Sequence, residues 1–375
     1  MKETGETEYL RSLISENYDI GELIEARRSA RGYVNTSYEI ITGKNGRDCR
    51  YFLRRYREDI EEKEVRFEHS IIEHLMSKNF RAVAGLVYTR EGRSYVRRFV
   101  EEQSGGEPLL FALFDFLPGE DRYTWDNPAC KRKEIESAAA LLARYHDTVS
   151  DLTPSGRRKE ARIIDLLHQL GHCLRNWADM AGTTVFDACF LANFDYMLNA
   201  VRRIRASIEG REYERMVQLP IHCDYHPGNL KFQEEKATGL FDFDWSKIDA
   251  RCFDVALGIT YFCSEWGRES EGGLRLDKIT IFLSSYQKAL QEGELLRPLD
   301  EAEIRYLPSM IGASNAYILR WVLGDFYAKR GDPQRYLLYL QHSMELMRWF
   351  ESRSCRTLLE ETIMESSEPA ACAGS

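Results

Sequence analysis

Three oxygen-bearing side chains stand at a spacing that could serve one reaction. Asp224 and Asn229 lie five positions apart in IHCDYHPGNLKF, and Asp242 follows a short turn in GLFDFDW. A strand–loop–strand hairpin would bring Asn229 and Asp242 to the same end. Their amide and carboxylate oxygens are hard ligands suited to Mg²⁺, which takes phosphate oxygens and water for the rest of its shell. Asp224 is then available to orient and deprotonate a hydroxyl, so the pattern indicates phosphoryl transfer.

The overall composition is that of an ordinary globular protein. The 375 residues are 43% hydrophobic and 30% charged, and this length suffices for two domains or two lobes. The net charge of −9 leaves no broad basic face, so we expect no nucleic-acid partner. A divalent cation would still allow a negatively charged protein to bind a nucleotide.

The cysteines and the apolar segments indicate in which cellular compartment the protein works. The nine cysteines are scattered and form no C-x-x-C pair, which is typical of reduced thiols. The stretch MKETGETEYL is acidic and polar, unlike a signal peptide. No apolar run reaches the roughly 20 residues of a membrane-spanning helix. We therefore expect a cytoplasmic protein without a membrane partner, and its oligomeric state stays open.

The first third of the chain predicts strands around one helix. Apolar and polar residues alternate in 36–42 and 49–56 on either side of a turn rich in Gly, Asn and Lys, which indicates a β-hairpin. Residues 62–80 carry apolar side chains at helical spacing. We predict a second strand pair at 83–89 and 94–100. The apolar run from Pro108 to Leu117 indicates a buried strand that ends at a Pro-Gly breaker.

Helical patterns dominate beyond that breaker, interrupted by the short strand pair that carries Asp224 and Asp242. We therefore predict an α+β fold with a small β-rich N-terminal lobe at 1–117 and a larger helical lobe at 118–355. The polar tail 356–375 is predicted to be disordered. A cleft between two lobes is a usual place for a ligand. The predicted helices are 133–149, 161–180, 190–216, 276–293, 309–330 and 333–353.

The motifs around Asp224 resemble the catalytic core of the aminoglycoside phosphotransferase and choline kinase superfamily. The family pattern is H-G-D-x-x-x-x-N, then I-D-F, then D-L-A, and this chain has HCDYHPGN, FDF and FDVAL in the same order. The resemblance implies a bilobal protein-kinase-like fold. It also implies that Asp254, in FDVAL, braces the catalytic loop, although a helix N-cap is an alternative role. We assign His222 to bracing as well. Cys223 departs from the family's glycine.

Parts of the first lobe are similar to nucleotide-binding elements of this family. RGYVNTSYEIIT resembles the phosphate loop of type II homoserine kinases, which implies that backbone N–H groups of Asn35, Thr36 and Ser37 face the phosphates. YFLRRY resembles the L-R-x-Y strand of choline kinases, so Arg54 would replace the usual kinase lysine and hold phosphate oxygens. Glu68 matches the helix glutamate that pairs with this basic residue, and an ordinary surface charge is the alternative.

The adenine and acceptor sites are also implied by resemblance. LFDFLPGE resembles the adenine-binding hinge, in which Asp115 and Leu117 offer backbone groups. The helices from 313 to 342 resemble the end of type II homoserine kinases, whose acceptor site lies between these helices and the catalytic loop. Arg320 falls on a matching position, and Tyr317 lies three residues before it on the same helix face. Carboxylate capture and an arginine paired with an acid are the two interpretations of Arg320.

Further acceptor contacts are predicted near the catalytic strand. Asp244 could be a third acid at the metal, a partner for an acceptor ammonium, or a loop carboxylate bonded to backbone. Trp245 is the tryptophan that we expect to touch the acceptor, whereas Trp266 and Trp321 are assigned to the core. His226 either contacts the substrate or is an exposed loop histidine.

These features predict an ATP- and Mg²⁺-dependent phosphotransferase that acts on a hydroxyl of a small metabolite. The resemblance implies that the acceptor bears an amine, in the manner of homoserine or an amino alcohol. One alternative is an antibiotic phosphotransferase of the aminoglycoside type, for which the acid-rich segment 264–273 could supply a rim. Another is a non-catalytic nucleotide-binding or structural protein on the same fold, which ranks last because the base and the metal ligands are all present.

Overall fold

The computed structural model describes residues 3–29, 34–99, 108–208, 211–267 and 272–367. The chain divides into two compact units. The first contains Met1–Gly119, Thr153–Arg158 and Gly239–Phe241, and the second contains Glu120–Leu152, Lys159–Thr238 and Asp242–Ser375. The chain therefore contributes two short segments to the first unit after its main part has ended.

One antiparallel sheet forms the framework of the first unit. Its strands are β1 (Glu22–Arg28), β2 (Thr36–Lys44), β3 (Arg47–Arg55), β4 (Leu86–Val87), β5 (Val96–Arg98) and β6 (Leu109–Asp115). The order is β1-β2-β3-β6-β4, and β5 also pairs with β6. The predicted hairpin is confirmed as β2 and β3. It closes tightly because Asn45 and Gly46 both adopt positive φ, 53° and 72°, as a two-residue type I′ turn requires.

The second predicted strand pair is wrong, because β4 and β5 each pair with β6 instead of with each other. Leu86 of β4 lies opposite Phe114, and Val96 of β5 lies opposite Phe111. The other edge of β6 is taken by β3, where Phe52 lies opposite Phe114. An apolar strand that is buried nearly throughout needs hydrogen-bonding partners on both edges, and two short strands end to end supply one of them.

Two helices belong to the first unit, α1 (Glu3–Asn17) and α2 (Glu62–Ser77). The helix α2 confirms the predicted one, whereas α1 and β1 were not predicted. Leu10 and Leu13 of α1 are buried in the same apolar cluster as Ile40 and Leu53 of the sheet. Burial of this face of α1 explains why a segment with a weak sequence pattern forms a helix.

The second unit is mainly helical, and the predicted fold class, an N-terminal sheet with a larger helical part, is confirmed. Within the described ranges, no helix is both long and apolar enough to cross a membrane. Two small sheets pair β7 (Gln218–Ile221) with β10 (Lys247–Ala250), and β8 (Leu230–Gln233) with β9 (Lys236–Leu240). The helices are α3 (Arg132–Val149), α4 (Ile163–Met180), α5 (Val185–Ala192), α6 (Phe194–Ile208), α7 (Arg211–Arg215), α8 (Arg251–Cys263), α9 (Leu276–Gln291), α10 (Glu301–Lys329), α11 (Pro333–Glu351) and α12 (Arg353–Ser367).

The small sheets position the segment that holds Asp224. That segment leaves β7 after Ile221 and enters β8 at Leu230, and a short 3₁₀ turn from Pro227 to Asn229 lies in between. The helix α8 follows β10 directly and packs against β7. The start of α8 is thus close to the segment that follows β7.

The prediction of a disordered tail at 356–375 is wrong for its described part. The helix α12 continues from Arg353 to Ser367 and packs against α9, α10 and α11. Leu359 is 0% exposed and Ile363 is 1% exposed. These apolar side chains lie four residues apart on one face of the helix, and their burial stabilises its packing against the other helices. The mostly polar composition of the tail did not indicate this face. Residues 368–375 lie outside the described residues.

We expect Leu359→Ala to lower the free energy of unfolding by about 2–5 kcal/mol, because it removes a fully buried side chain. Leu358→Ala is the matched control on the same helix, since Leu358 is 50% exposed and should change stability little. Urea denaturation of both variants measures the difference. Equal stabilities would mean that α12 does not pack as described.

Candidate active site

A buried carboxylate holds the start of the loop that carries Asp224. Asp254, in the first turn of α8, accepts the backbone N–H of His222 at 2.7 Å on one oxygen and that of Cys223 at 2.8 Å on the other. His146 Nε2 also lies 3.0 Å from Asp254 Oδ2, and its Nδ1 contacts the hydroxyl of Tyr286 at 2.8 Å. Burial lowers the pKa of His146, and the neighbouring Asp254 offsets only part of that effect.

Cys223 has the backbone conformation that explains the family's glycine at this position. Its φ is +62°, in the left-handed region that glycine adopts without steric cost. The thiol is buried, and Cys223 Sγ lies 3.7 Å from the hydroxyl of Tyr317 on α10. Burial is the main reason that the pKa of the thiol is raised, which is typical of a packing cysteine.

The side chain of Asp224 is held by its neighbours on the same loop. Asn229 Nδ2 donates to Asp224 Oδ2 at 2.8 Å and to the Asp224 carbonyl oxygen at 3.0 Å. His226 Nε2 lies 3.5 Å from the same carboxylate, and its Nδ1 accepts the N–H of Gly228. Burial alone would raise the pKa of Asp224, but the imidazoles of His226 and His222 and the Asn229 amide outweigh it and hold this pKa below its usual value.

Asn229 and Asp242 flank one end of the hairpin formed by β8 and β9. Asn229 directly precedes β8, and Asp242 follows β9 after one residue, with a left-handed φ of 68°. The contacts of Asn229 with Asp224 use its amide nitrogen, so the amide oxygen is the atom that could meet a cation. One amide oxygen and one carboxylate fit the few protein ligands that Mg²⁺ takes when phosphates complete its shell.

His222 is fully buried among aromatic rings. Its ring centroid lies 4.9 Å from that of Phe243 and 6.0 Å from that of Tyr225. Its position is that of a packing residue next to the loop, and the bracing role stays a prediction.

The basic residue and the acid predicted in the first unit do meet. Arg54 Nη1 lies 3.0 Å from Glu68 Oε1, and Arg54 is 7% exposed. Ser37 lies opposite Arg54 in the β2–β3 pairing, and Thr36 lies opposite Arg55. Thr36 and Ser37 are thus the first residues of β2, not members of a loop, while Asn35 Oδ1 accepts the N–H of Arg57 at 3.0 Å just before the strand.

The segment predicted to bind adenine follows β6. The backbone N–H of Asp115, the last residue of β6, donates to the carbonyl of Gly85 at 2.8 Å. The carbonyl oxygen of Asp115 is therefore its candidate group for a ligand. Leu117, two residues on, is 8% exposed. Burial raises the pKa of the Asp115 carboxyl.

Aromatic side chains line a recess beside the catalytic loop in the second unit. The recess is small, with a cavity volume of about 10 Å³, which is roughly the room for one water molecule. The ring of Tyr261 lies 5.2 Å from that of His226, and burial together with the nearby Asp224 carboxylate raises the pKa of Tyr261 well above its usual value. The aromatic residues of the recess are Trp125, Tyr261, Trp266, Tyr339 and His342.

Two buried polar atoms in the recess have no hydrogen-bond partner among the described residues. They are Trp266 Nε1 and Ser343 Oγ. The sequence assigned Trp266 to the core, and the structure instead places it on the wall of the recess, stacked on His342 at 3.6 Å between ring centroids. These residues were missed because they come from distant parts of the chain, and of the aromatic ones only Tyr339 and His342 lie in the helices whose resemblance pointed to an acceptor site.

The acceptor residues predicted from the sequence take different positions. Tyr317 touches the catalytic loop through Cys223, as described above, whereas Arg320 Nη1 lies 3.5 Å from Glu160 Oε1. Lys247 forms an ion pair with the other oxygen of Glu160. Asp244 is 4% exposed and Trp245 is partly exposed, both in the short turn from Phe243 to Trp245. Residues 268–271 of the acid-rich segment lie outside the described residues.

Comparison with known proteins identifies the class. Residues 25–277 match the profile described as the phosphotransferase enzyme family, and the chain belongs to this family. A homoserine kinase of Parvibaculum lavamentivorans is 25% identical over 336 residues, which are 86% of this chain and 90% of the relative. The resemblance read from the motifs is confirmed.

Solved structures show the same fold. A microcompartment-associated aminopropanol kinase aligns with a TM-score of 0.69 at 19% identity, over 94% of this chain and 99% of that one. A choline kinase from Cryptosporidium parvum aligns with a TM-score of 0.62 at 13% identity, over 95% of this chain and 99% of that one. The chain is therefore a small-molecule kinase with a kinase-like fold.

The left-handed backbone at Cys223 predicts a difference between two variants. Cys223→Gly and Cys223→Ala both delete the buried thiol, but only glycine adopts a φ of +62° without steric cost. We expect the glycine variant to be more stable than the alanine variant by about 1 kcal/mol. Thermal or urea unfolding measures this difference. A more stable alanine variant would contradict the left-handed conformation.

Proposed function

We propose that this kinase transfers the γ-phosphoryl group of ATP, with Mg²⁺, to a hydroxyl group of a small, amine-bearing metabolite. The contact of Asn229 Nδ2 with Asp224 Oδ2 at 2.8 Å carries the proposal. It joins a candidate base to a candidate metal ligand on one rigid loop. Small-molecule phosphoryl transfer needs little more from the protein than such positioning and charge.

Asp224 is the group that orients the acceptor hydroxyl and takes its proton. Its side chain is 23% exposed, so an alcohol can reach the carboxylate. Its lowered pKa keeps the carboxylate ionised near neutral pH, ready to accept a hydrogen bond. Asn229 fixes the direction of the carboxylate, which limits the orientations available to the alcohol.

Asn229 and Asp242 would hold the metal through an amide oxygen and a carboxylate. When bound, Mg²⁺ neutralises charge on the phosphate oxygens. In the first unit, Arg54 holds phosphate oxygens while Glu68 fixes its direction. Asn35, just before β2, would offer its backbone N–H group to the phosphates, whereas Thr36 and Ser37 are already paired in the sheet. The position of Ser37 opposite Arg54 supports a common phosphate site on this unit.

The hinge residues would select the adenine ring. The carbonyl of Asp115 would accept from the adenine amino group, and the N–H of Leu117 would donate to a ring nitrogen. This assignment follows from the family resemblance, and the use of the Asp115 N–H by Gly85 supports it because only the carbonyl is then offered.

The aromatic recess supports an amine-bearing acceptor. Faces of tryptophan and tyrosine rings attract an ammonium group through the ring quadrupole. The contact of Tyr261 with His226 brings the aromatic rings next to Asp224. The recess has a cavity volume of about 10 Å³, so it would have to widen for a short amino alcohol to reach both the rings and Asp224. Relatives named homoserine kinase and aminopropanol kinase agree with an acceptor of this size. Tyr317, Arg320, Asp244 and Trp245 remain candidate contacts for the rest of the acceptor.

Replacing the proposed base tests the reaction itself. We expect Asp224→Asn to lower kcat by about 10²–10⁴-fold, the usual contribution of a general base. The affinity for a non-hydrolysable ATP analogue, measured by calorimetry, should remain. Asp179→Asn removes an exposed helix carboxylate and serves as the control with unchanged kcat. A fully active Asp224→Asn enzyme would overturn the assigned role.

The acceptor class is tested by a panel of alcohols assayed with ATP and Mg²⁺. Homoserine, aminopropanol, ethanolamine, choline, methylthioribose and an aminoglycoside cover the alternatives. We expect turnover with a small amino alcohol or amino acid, and none in the Asp224→Asn variant. Turnover with the aminoglycoside alone would favour the antibiotic phosphotransferase instead.

A further inference from the structure

A chain of hydrogen bonds extends from the Arg54–Glu68 ion pair into the interior of the first unit. Tyr56 Oη lies 2.8 Å from Glu68 Oε2 and 3.0 Å from His69 Nε2. His69 Nδ1 lies 2.8 Å from Ser94 Oγ. Arg54 donates a hydrogen bond to the other carboxylate oxygen of Glu68. One tyrosine hydroxyl thus links the ion pair to a buried histidine.

The direction of every bond in this chain follows from the chemistry of its members. An ionised Glu68 can only accept, so the Tyr56 hydroxyl must donate its proton to Glu68. The Tyr56 oxygen therefore accepts from His69 Nε2–H, and His69 Nδ1 accepts from the Ser94 hydroxyl. Burial is the main reason that the pKa of His69 is lowered, to about 3, so the ring is neutral and carries the single N–H that this scheme needs.

Three members of the chain are almost inaccessible to water, and Ser94 is partly exposed. Tyr56 and Glu68 are each 1% exposed and His69 is 2% exposed. In such surroundings a carboxylate that loses a hydrogen-bond donor has no water to replace it, and the remaining partners must shift. The position of Glu68 is therefore sensitive to the Tyr56 hydroxyl.

Arg54 depends on the same tyrosine in a second way. Its guanidinium lies 5.9 Å from the Tyr56 ring centroid and 5.7 Å from that of Phe114. The residues Arg54 and Tyr56 are two positions apart along one extended segment, so their side chains point to the same side. The aromatic rings limit where the guanidinium can lie, and Glu68 sets its direction.

We propose that Tyr56 is a positioning residue for nucleotide binding, whose hydroxyl holds Glu68 in the orientation that presents Arg54 to the phosphates. The inference rests on the proposed role of Arg54 in phosphate binding and extends it to residues that do not touch the nucleotide. His69 and Ser94 fix the direction in which the Tyr56 hydroxyl donates.

The test measures the affinity of the full-length protein for a non-hydrolysable ATP analogue with Mg²⁺ by calorimetry. Tyr56→Phe removes only the hydroxyl and retains the ring beside Arg54. We expect its Kd to rise by about three- to tenfold, because a hydrogen bond to a charged group is lost. Tyr18→Phe is the matched control in the same unit: Tyr18 is also 1% exposed, and its hydroxyl has no hydrogen-bond partner among the described residues. Its Kd should not change.

A double-mutant cycle distinguishes a positioning role from a general loss of stability. If Tyr56 acts through Glu68, Tyr56→Phe should add little to the Kd increase already caused by Glu68→Gln. Thermal unfolding of each variant checks that the protein is folded at the temperature of the binding measurement. Fully additive effects, or an unchanged Kd in Tyr56→Phe, would overturn the positioning role.

Arg54→Met separates this inference from the function on which it rests. Suppose that the Kd is higher in Arg54→Met but unchanged in Tyr56→Phe. Arg54 would then remain a phosphate ligand, and only the role of Tyr56 would be refuted. An unchanged Kd in Arg54→Met would refute phosphate binding by Arg54, and the role of Tyr56 with it.

Discussion

The buried carboxylate of Asp254 is the constraint on which the catalytic loop depends. Its two oxygens accept the N–H groups of consecutive residues, His222 and Cys223, and one oxygen also contacts His146. A carboxylate that is 0% exposed is tolerable only when such donors compensate its lost hydration. The left-handed φ of Cys223 turns the chain directly after these two N–H groups. This turn sets the direction in which the side chain of the next residue, Asp224, projects.

Each unit therefore uses a buried acid to position a functional group, but in a different way. Asp254 holds two backbone N–H groups directly. Glu68 holds a side chain, Arg54, and is itself held by Tyr56. The arginine side chain is flexible, and ordering it when a ligand binds would cost conformational entropy and weaken the affinity. Contacts that order it beforehand remove this cost.

Local patterns predicted the parts of the fold and site that local chemistry determines. The Asn45-Gly46 turn defined the β2–β3 hairpin, and the spacing of Asp224 and Asn229 put both on one loop, where the structure adds a direct contact between them. Contacts between residues that are distant in the sequence could not be predicted from such patterns. Nothing in β4 or β5 specifies that both pair with β6, and the recess near Asp224 draws Trp125 from a loop after β6 and Trp266 from a segment after α8.

Cys223, where the family has glycine, connects the loop of Asp224 to α10. A glycine there would avoid the steric cost of φ +62°, yet it would offer no atom to Tyr317. Lys247 lies over the Tyr317 ring at 5.6 Å and forms an ion pair with Glu160, which also lies 3.5 Å from Arg320. The thiol thus begins a continuous set of contacts from the loop of the proposed base to Arg320 on α10. A side chain that strains the loop by about 1 kcal/mol is tolerable when it joins the loop to α10.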